Sequence, residues 1–121
     1  DVIAKVGGLD IAGMVGCYLG AAICQMPILI DGFISAVSAY LACMLNQTAK
    51  EYMIPTHCSA EPAAKMIMEK LGMEAPLHAG MHLGEGTGAI MGLSLIDQAL
   101  NVYYHVATFE GGHVEAYTHQ V

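Results

Sequence analysis

The sequence has no arginine and only four lysines, set against eleven acidic residues, for a formal net charge of -7. Nucleic-acid binding needs a cationic footprint, so that class is excluded. An anionic substrate must instead be held by backbone amides, by a helix N-terminus or by one of the rare lysines. Charge of either sign is sparse: charged residues make up 12% of the chain and hydrophobic ones 55%. That is too apolar for disorder. It also predicts surface buried against something else. No CxxC pair occurs among the four cysteines. Cys17, Cys24 and Cys43 sit in apolar runs and read as buried free thiols. With nine methionines and no signal-like N-terminus, they point to a reducing cytoplasm.

What is present suits one domain. A chain of 121 residues buries roughly two-thirds of its unfolded surface. It begins at Asp1, inside what reads as the end of a helix, and is expected to be a fragment of a longer protein. The stretch between Asp10 and Asp31 holds twenty uncharged residues, the length of a membrane span. Gly13, Gly16, Gly20, Gln25 and Pro27 interrupt it, however, and no basic residue flanks it closely. It reads as a helix followed by a strand.

Periodicity gives the remaining elements. Asp10 is an N-cap candidate, followed by Ile11, Met14, Val15, Tyr18 and Leu19 at helical spacing. "MPILI", residues 26–30, is a short buried strand that Pro27 opens. In "DGFISAVSAYLACML", Phe33, Val37, Tyr40, Leu41 and Met44 form one helical stripe. Small residues fill its opposite face, so this helix is expected to be covered on both sides. "EYMIPTH" reads as a second strand, stopped by Pro55, and "SAEPAAKMIMEKLG" as a helix ending at Gly72. "APLHAGMHL" is a third strand candidate. A last helix runs from about Thr87 toward Ala107, with Ile90, Leu93, Ile96, Leu100 and Tyr103 inward. The tail from Glu110 to Val121 is expected to be loosely ordered. Alternation with short apolar strands predicts an α/β fold: a parallel sheet flanked by helices, Rossmann-like and three-layered.

Sites in such sheets form beyond the C-terminal ends of the strands. Three segments fall there: "DGF", "THCSAEP" and "LGEGTG". Asp31 and Gly32 read first as an N-cap of the helix they precede. Ser59 is either a helix cap or a hydrogen-bond donor to a phosphate or ribose. His57 and Cys58, adjacent on a strand, point to opposite faces and do not form a dyad. His78 and His82 share a face but lack an obvious third ligand, so they read as ordinary polar histidines and no metal site is expected. "GEGTG" is not a Walker loop, because no lysine follows it. Gly84 and Gly86 leave room for a ligand to approach the backbone. The helix that follows favours an ionised Glu85, which suits a base. Spacing alone leaves Glu85 as either a turn residue or a reactive group.

"VGGLDIAGMVGCYLGAA", "PILIDGFISA", "EYMIPTHCSAEP" and "MHLGEGTGAIMG" together resemble the nicotinate-nucleotide:dimethylbenzimidazole phosphoribosyltransferase family, over about residues 6–109. The resemblance implies an enzyme of cobalamin lower-ligand assembly. Such an enzyme takes nicotinate mononucleotide and a benzimidazole-type base, and gives alpha-ribazole phosphate and nicotinate without a cofactor. It implies Glu85 as general base and a base pocket lined by backbone at Leu83 and Gly84, with Gly86 beside it. Ser59 would face the nucleotide, and Asp31 and Gly32 would border the same cleft. It further implies a cytoplasmic homodimer, with this chain as the C-terminal portion of the phosphoribosyltransferase domain. Residues from about 108 to 121 would then be a tail or part of a small helical domain, and the phosphate-contacting glycine-rich segment would lie elsewhere. The chain departs from the family pattern at His82, where arginine is common, and at Tyr104 and His105. Two other classes compete: a non-catalytic ligand-binding or interaction module of this fold, and a helical membrane segment.

Overall fold

The computed structural model describes residue 5, residues 7–82 and residues 84–115. In chain order the elements are α1 (Leu9–Ile23), β1 (Ile28–Ile30), α2 (Phe33–Leu45), a 3-10 helix (Gln47–Tyr52), β2 (Met53–Pro55), α3 (Pro62–Leu71) and α4 (Thr87–His105). The fold is α/β. β1 and β2 pair in parallel, with Ile28 opposite Met53, Leu29 opposite Ile54 and Ile30 opposite Pro55. A βαβ crossover through α2 makes parallel pairing possible. Pro55 has no N–H to give, and the ladder continues one residue later. Thr56 donates to the Ile30 carbonyl both from its backbone (3.2 Å) and from its buried hydroxyl (2.6 Å).

The expected third strand shrinks to one bridge between His57 and Leu77. Leu77 donates to the Thr56 carbonyl and Cys58 to that of Leu77, and Ala60 bonds the Met81 carbonyl. The extended register stops there for two reasons: Pro76 lacks a donor, and Gly80 takes a left-handed φ of 63°. The resulting edge runs the loops after β1, β2 and Leu77 side by side.

α1 starts at Leu9 with Gly8 as its N-cap, so Asp10 sits in the first turn rather than capping. Its carboxylate still faces the positive end of the helix. Val15 and Tyr18 are buried, with Ile11, Met14 and Leu19 packed around them as the periodicity predicts. α2 is covered on both faces, as expected, but most deeply on the small-residue one: Ala36, Ser38, Ala39, Ala42 and Cys43 are buried, Phe33, Val37, Tyr40 and Leu41 are half-buried, and Met44 is 68% exposed. Small side chains let α2 approach α1, α3 and the 3-10 helix closely. α3 follows its signals, with Pro62 in the first turn and Gly72 at φ 61° closing the helix.

α4 corrects a second expectation. Its buried residues are Gly88 and Gly92, while Ile90, Leu93, Leu100 and Tyr103 are exposed and Ile96 is half-buried. Glycines one turn apart allow the helix backbone to rest on the sheet. A Cβ at Gly92 would stand 2.5 Å from Thr56 Cγ2. The apolar stripe therefore faces away from the described core and presents a patch that calls for a cover. All four cysteines are free, but only Cys43 is buried; Cys17 and Cys24 are exposed, contrary to expectation. Residues 106–115 are exposed turns and coil, and 116–121 lie outside the described residues. Among the described residues, no helix is long and apolar enough to cross a membrane.

Candidate active site

Asp31 leaves the buried end of β1, and Gly32, the next residue, is the N-cap of α2. The Asp31 side chain does not cap α2. It reaches across to α4, where Oδ2 accepts from Gly86 N at 3.0 Å and Oδ1 from Ala89 N at 2.9 Å. Those amides belong to the end of α4 whose donors lack intrahelical partners, and the carboxylate complements the positive pole there. Asp31 thus holds the turn that carries Glu85.

Asp31 is itself anchored from behind. Its backbone N–H donates to Ser35 Oγ at 3.1 Å, and Ser35 Oγ also bonds the Tyr18 hydroxyl at 2.5 Å. Burial pushes the Tyr18 phenol up to about 12, with the Ser35 hydrogen bond opposing and the Asp31 charge adding to the rise. The phenol therefore stays neutral at ordinary pH and links α1 to the start of α2. In the sequence, Ser35 was only one member of a small-residue face and Tyr18 only a core position. Neither advertised a place behind the site.

Ser59 follows β2 and is 9% exposed. Its hydroxyl donates to the Glu61 carboxylate, with the Met81 carbonyl a second acceptor at 3.3 Å. It does not cap α3, whose N-cap is Glu61. Gly84 and Gly86 take left-handed φ values of 67° and 77°, a region that glycine enters without strain. Glu85 projects from between them and is exposed. Leu83 lies outside the described residues.

These segments border one cavity of about 520 Å³, in which Asp31, Gly32, Ser59, Gly84 and Gly86 meet Asp10 and Met14 of α1, Glu61 and His82. Glu85 itself is not among the lining residues; it stands exposed between two glycines that are. Among the described residues, no lysine lines the cavity. Positive potential comes instead from the N-terminus of α2, uncapped at Gly32; the N-termini of α3 and α4 also border it, but there the Glu61 and Asp31 carboxylates offset the pole. The lining carboxylates Asp10, Asp31 and Glu61 supply the opposite sign. Such a site has amide donors for an anion and carboxylates for a developing cation. His78 and His82 are both exposed. Among the described residues, no group of three His, Cys, Asp or Glu side chains gathers in a way that holds a metal ion.

Comparison with known proteins bears on this arrangement. A sequence-family profile described as phosphoribosyltransferase matches residues 1–114. The chain is 50% identical over 121 residues to the nicotinate-nucleotide–dimethylbenzimidazole phosphoribosyltransferase of Acetivibrio thermocellus, covering all of this chain and 34% of that protein. It is 51% identical over 117 residues to the enzyme of the same name from Clostridium acetobutylicum, covering 97% and 33% respectively. A crystal structure of CobT from Thermus thermophilus superposes with a TM-score of 0.87 at 32% identity, over 94% of this chain and 34% of that one. The chain therefore spans about a third of the length of the relatives it matches.

Proposed function

We propose, from the premise that the chain belongs to the phosphoribosyltransferase family, that it supplies the general-base side of a nicotinate-nucleotide–dimethylbenzimidazole phosphoribosyltransferase. The transfer would move the phosphoribosyl group from nicotinate mononucleotide to a benzimidazole-type base, giving alpha-ribazole phosphate in cobalamin lower-ligand assembly. The names of the relatives support the substrates. One observation carries the residue assignment. Asp31, Ser59 and the Gly84–Gly86 turn meet at a single cavity, with Glu85 on a turn that Asp31 clamps.

The chemistry follows from the charges. In nicotinate mononucleotide the ring nitrogen is cationic, so the bond from it to the ribose carbon breaks with both electrons returning to nitrogen. Nicotinate leaves as a pyridine and needs no proton. The lone pair of the incoming base's unprotonated imidazole nitrogen bonds the same carbon, the ring becomes cationic, and its other nitrogen, now acidic, gives its N–H proton to the Glu85 carboxylate. Positive charge that grows on the sugar faces the carboxylates of the cavity wall, and the nucleotide's phosphate is matched by the N-terminus of α2. Ser59 is assigned to the nucleotide, Leu83, Gly84 and Gly86 to the base, and Asp31 and Gly32 to the border between them. No step calls for a metal or a redox cofactor.

In this reading the chain is the C-terminal portion of the domain. Its parallel pair belongs to the sheet of a larger Rossmann-like, three-layered domain, and residues from about 108 to 121 are a tail or part of a small helical domain. The exposed stripe of α4 is then covered in a cytoplasmic homodimer. Glu85→Gln in the full-length enzyme tests the assignment. It keeps the side chain's size and removes its ability to take a proton, so turnover should fall about 10²–10⁴-fold. Near wild-type turnover would return Glu85 to the role of a turn residue.

A further inference from the structure

The chemistry above does not use His57, yet its setting is unusual. The residue bridges to Leu77 in the sheet and is 5% exposed. Among the described residues, its buried Nδ1 has no hydrogen-bond partner. The ring's Nδ1–Cε1 edge lies against the first turn of α4: a Cβ at Gly88 would stand 1.8 Å from Nδ1 and 2.3 Å from Cε1. The same ring borders the other two loops. A Cβ at Gly32 would lie 3.8 Å from His57 Cε1 and 3.6 Å from Gly84 Cα. A cavity of about 270 Å³, bounded by His57, Met81, Thr87 and Gly88, meets the main one at His82 and Gly84. Cys58 lines a different cavity with Lys65 and His78, so the two adjacent residues serve opposite faces.

Buried polar atoms are nearly always hydrogen-bonded. If volume were all that the position required, an apolar ring would fill it without that cost. An unprotonated ring nitrogen has one property that a benzene edge lacks. It carries no hydrogen, so a backbone can settle closer to it than to a C–H. Its lone pair also faces the positive end of α4. Both features require that Nδ1 carry no hydrogen, which places the ring proton on Nε2. We propose that His57 is a positioning residue for Glu85: its bare Nδ1 edge seats the first turn of α4 at Gly88 while Asp31 binds the Gly86 and Ala89 amides of the same turn. Together they fix the Gly84–Gly86 turn. The inference rests on the reading of Glu85 as the general base.

The test uses the full-length enzyme and the variants His57→Phe, His57→Gln, His57→Asn, Glu85→Gln and the His57→Phe/Glu85→Gln double. Phe puts a C–H where Nδ1 stood, and Gln moves its polar atoms toward the Nε2 position. Asn returns an oxygen near the Nδ1 position. Displacing a reacting group by about 1 Å costs up to about 10²-fold. His57→Phe and His57→Gln should therefore lose turnover on that order, with the KM for nicotinate mononucleotide and the melting temperature close to wild type. His57→Asn should restore most of the loss. In the Glu85→Gln background, His57→Phe should cause no further loss, because the two residues act as one unit. Should His57→Phe misfold, His57→Gln carries the comparison. Wild-type turnover in both ring replacements would overturn the proposal, as would losses that multiply with Glu85→Gln. So would losses that track a fall in melting temperature and are shared by Asn. An impaired His57→Phe beside a fully active Glu85→Gln would instead remove the general-base reading, and the link to Glu85 with it.

Discussion

At the scale of the residue, the carboxylate of Asp31 ties together distant parts of the chain. It bonds amides 55 and 58 positions further along the chain, which makes it a helix cap supplied from another element. Removing a capping side chain costs about 0.5–2 kcal/mol. Asp31→Ala in the full-length enzyme should therefore lower the unfolding free energy by that amount, read from its denaturant titration. It should also reduce turnover, because the turn holding Glu85 loses its clamp. Unchanged stability would mean that another group holds the start of α4. Tyr18, two hydrogen bonds behind Asp31, gives a pH signature. Its pKa is about 12 in the folded state against an ordinary 10.0, so the folded state favours the neutral phenol. The stability this supplies is fully present below pH 10 and is lost as pH rises toward 12. Tyr18→Phe should be less sensitive than wild type to alkali across that window, and identical alkaline unfolding curves would refute the link. Much of this was legible in the sequence. Polar residues after buried strands fall on one edge of a parallel sheet, which brought Asp31, Ser59 and the glycine turn together. The partner of Asp31 was not legible, because local spacing favours the nearest helix and says nothing of one more than fifty positions away.

At the scale of the element, helices were easier to find than their buried faces. Hydrophobic period locates an apolar stripe, but a glycine or alanine stripe is silent to it, and in α2 and α4 the small residues make the close contacts. The physical reason is distance: a backbone that rests directly on a strand has no room for a Cβ. Gly92 offers a direct check. In an open helix, Gly→Ala stabilises by about 1 kcal/mol. Here the new methyl would stand 2.5 Å from Thr56 Cγ2 and 3.4 Å from Thr56 Cα, and overpacking typically costs about 1–3 kcal/mol. Overpacking should win, so Gly92→Ala should be destabilising by urea titration. A stabilised variant would show that α4 lifts off the sheet without cost. The third strand failed for a related reason: its apolar residues read as a strand, but Pro76 and Gly80 broke the register after one bridge.

At the scale of the whole molecule, the chain spans about a third of its relatives, and its surface reflects that. Ile90, Leu93, Leu100, Val102, Tyr103 and Tyr104 lie exposed along α4, a patch that folded proteins ordinarily cover. The exposed apolar surface expected from the composition is thus prominent on this helix, with further exposed positions such as Leu9, Ile23 and Met44 elsewhere. The site is partial in the same sense. It has the turn with Glu85 and three helix N-termini, yet no lysine among the described residues of the cavity wall. A nucleotide monophosphate held only by amide dipoles in an open cavity is weakly placed, and proximity supplies much of the rate in a two-substrate transfer. The 121-residue chain alone should therefore release no nicotinate from nicotinate mononucleotide when a benzimidazole is present. The full-length enzyme should do so at the same rate before and after EDTA treatment, because its leaving group departs without a Lewis acid. Loss of that activity on chelation, regained with zinc or magnesium, would contradict the charge argument. Nicotinate release by the short chain, followed by chromatography and abolished by Glu85→Gln, would show that the part already holds its substrates without the rest.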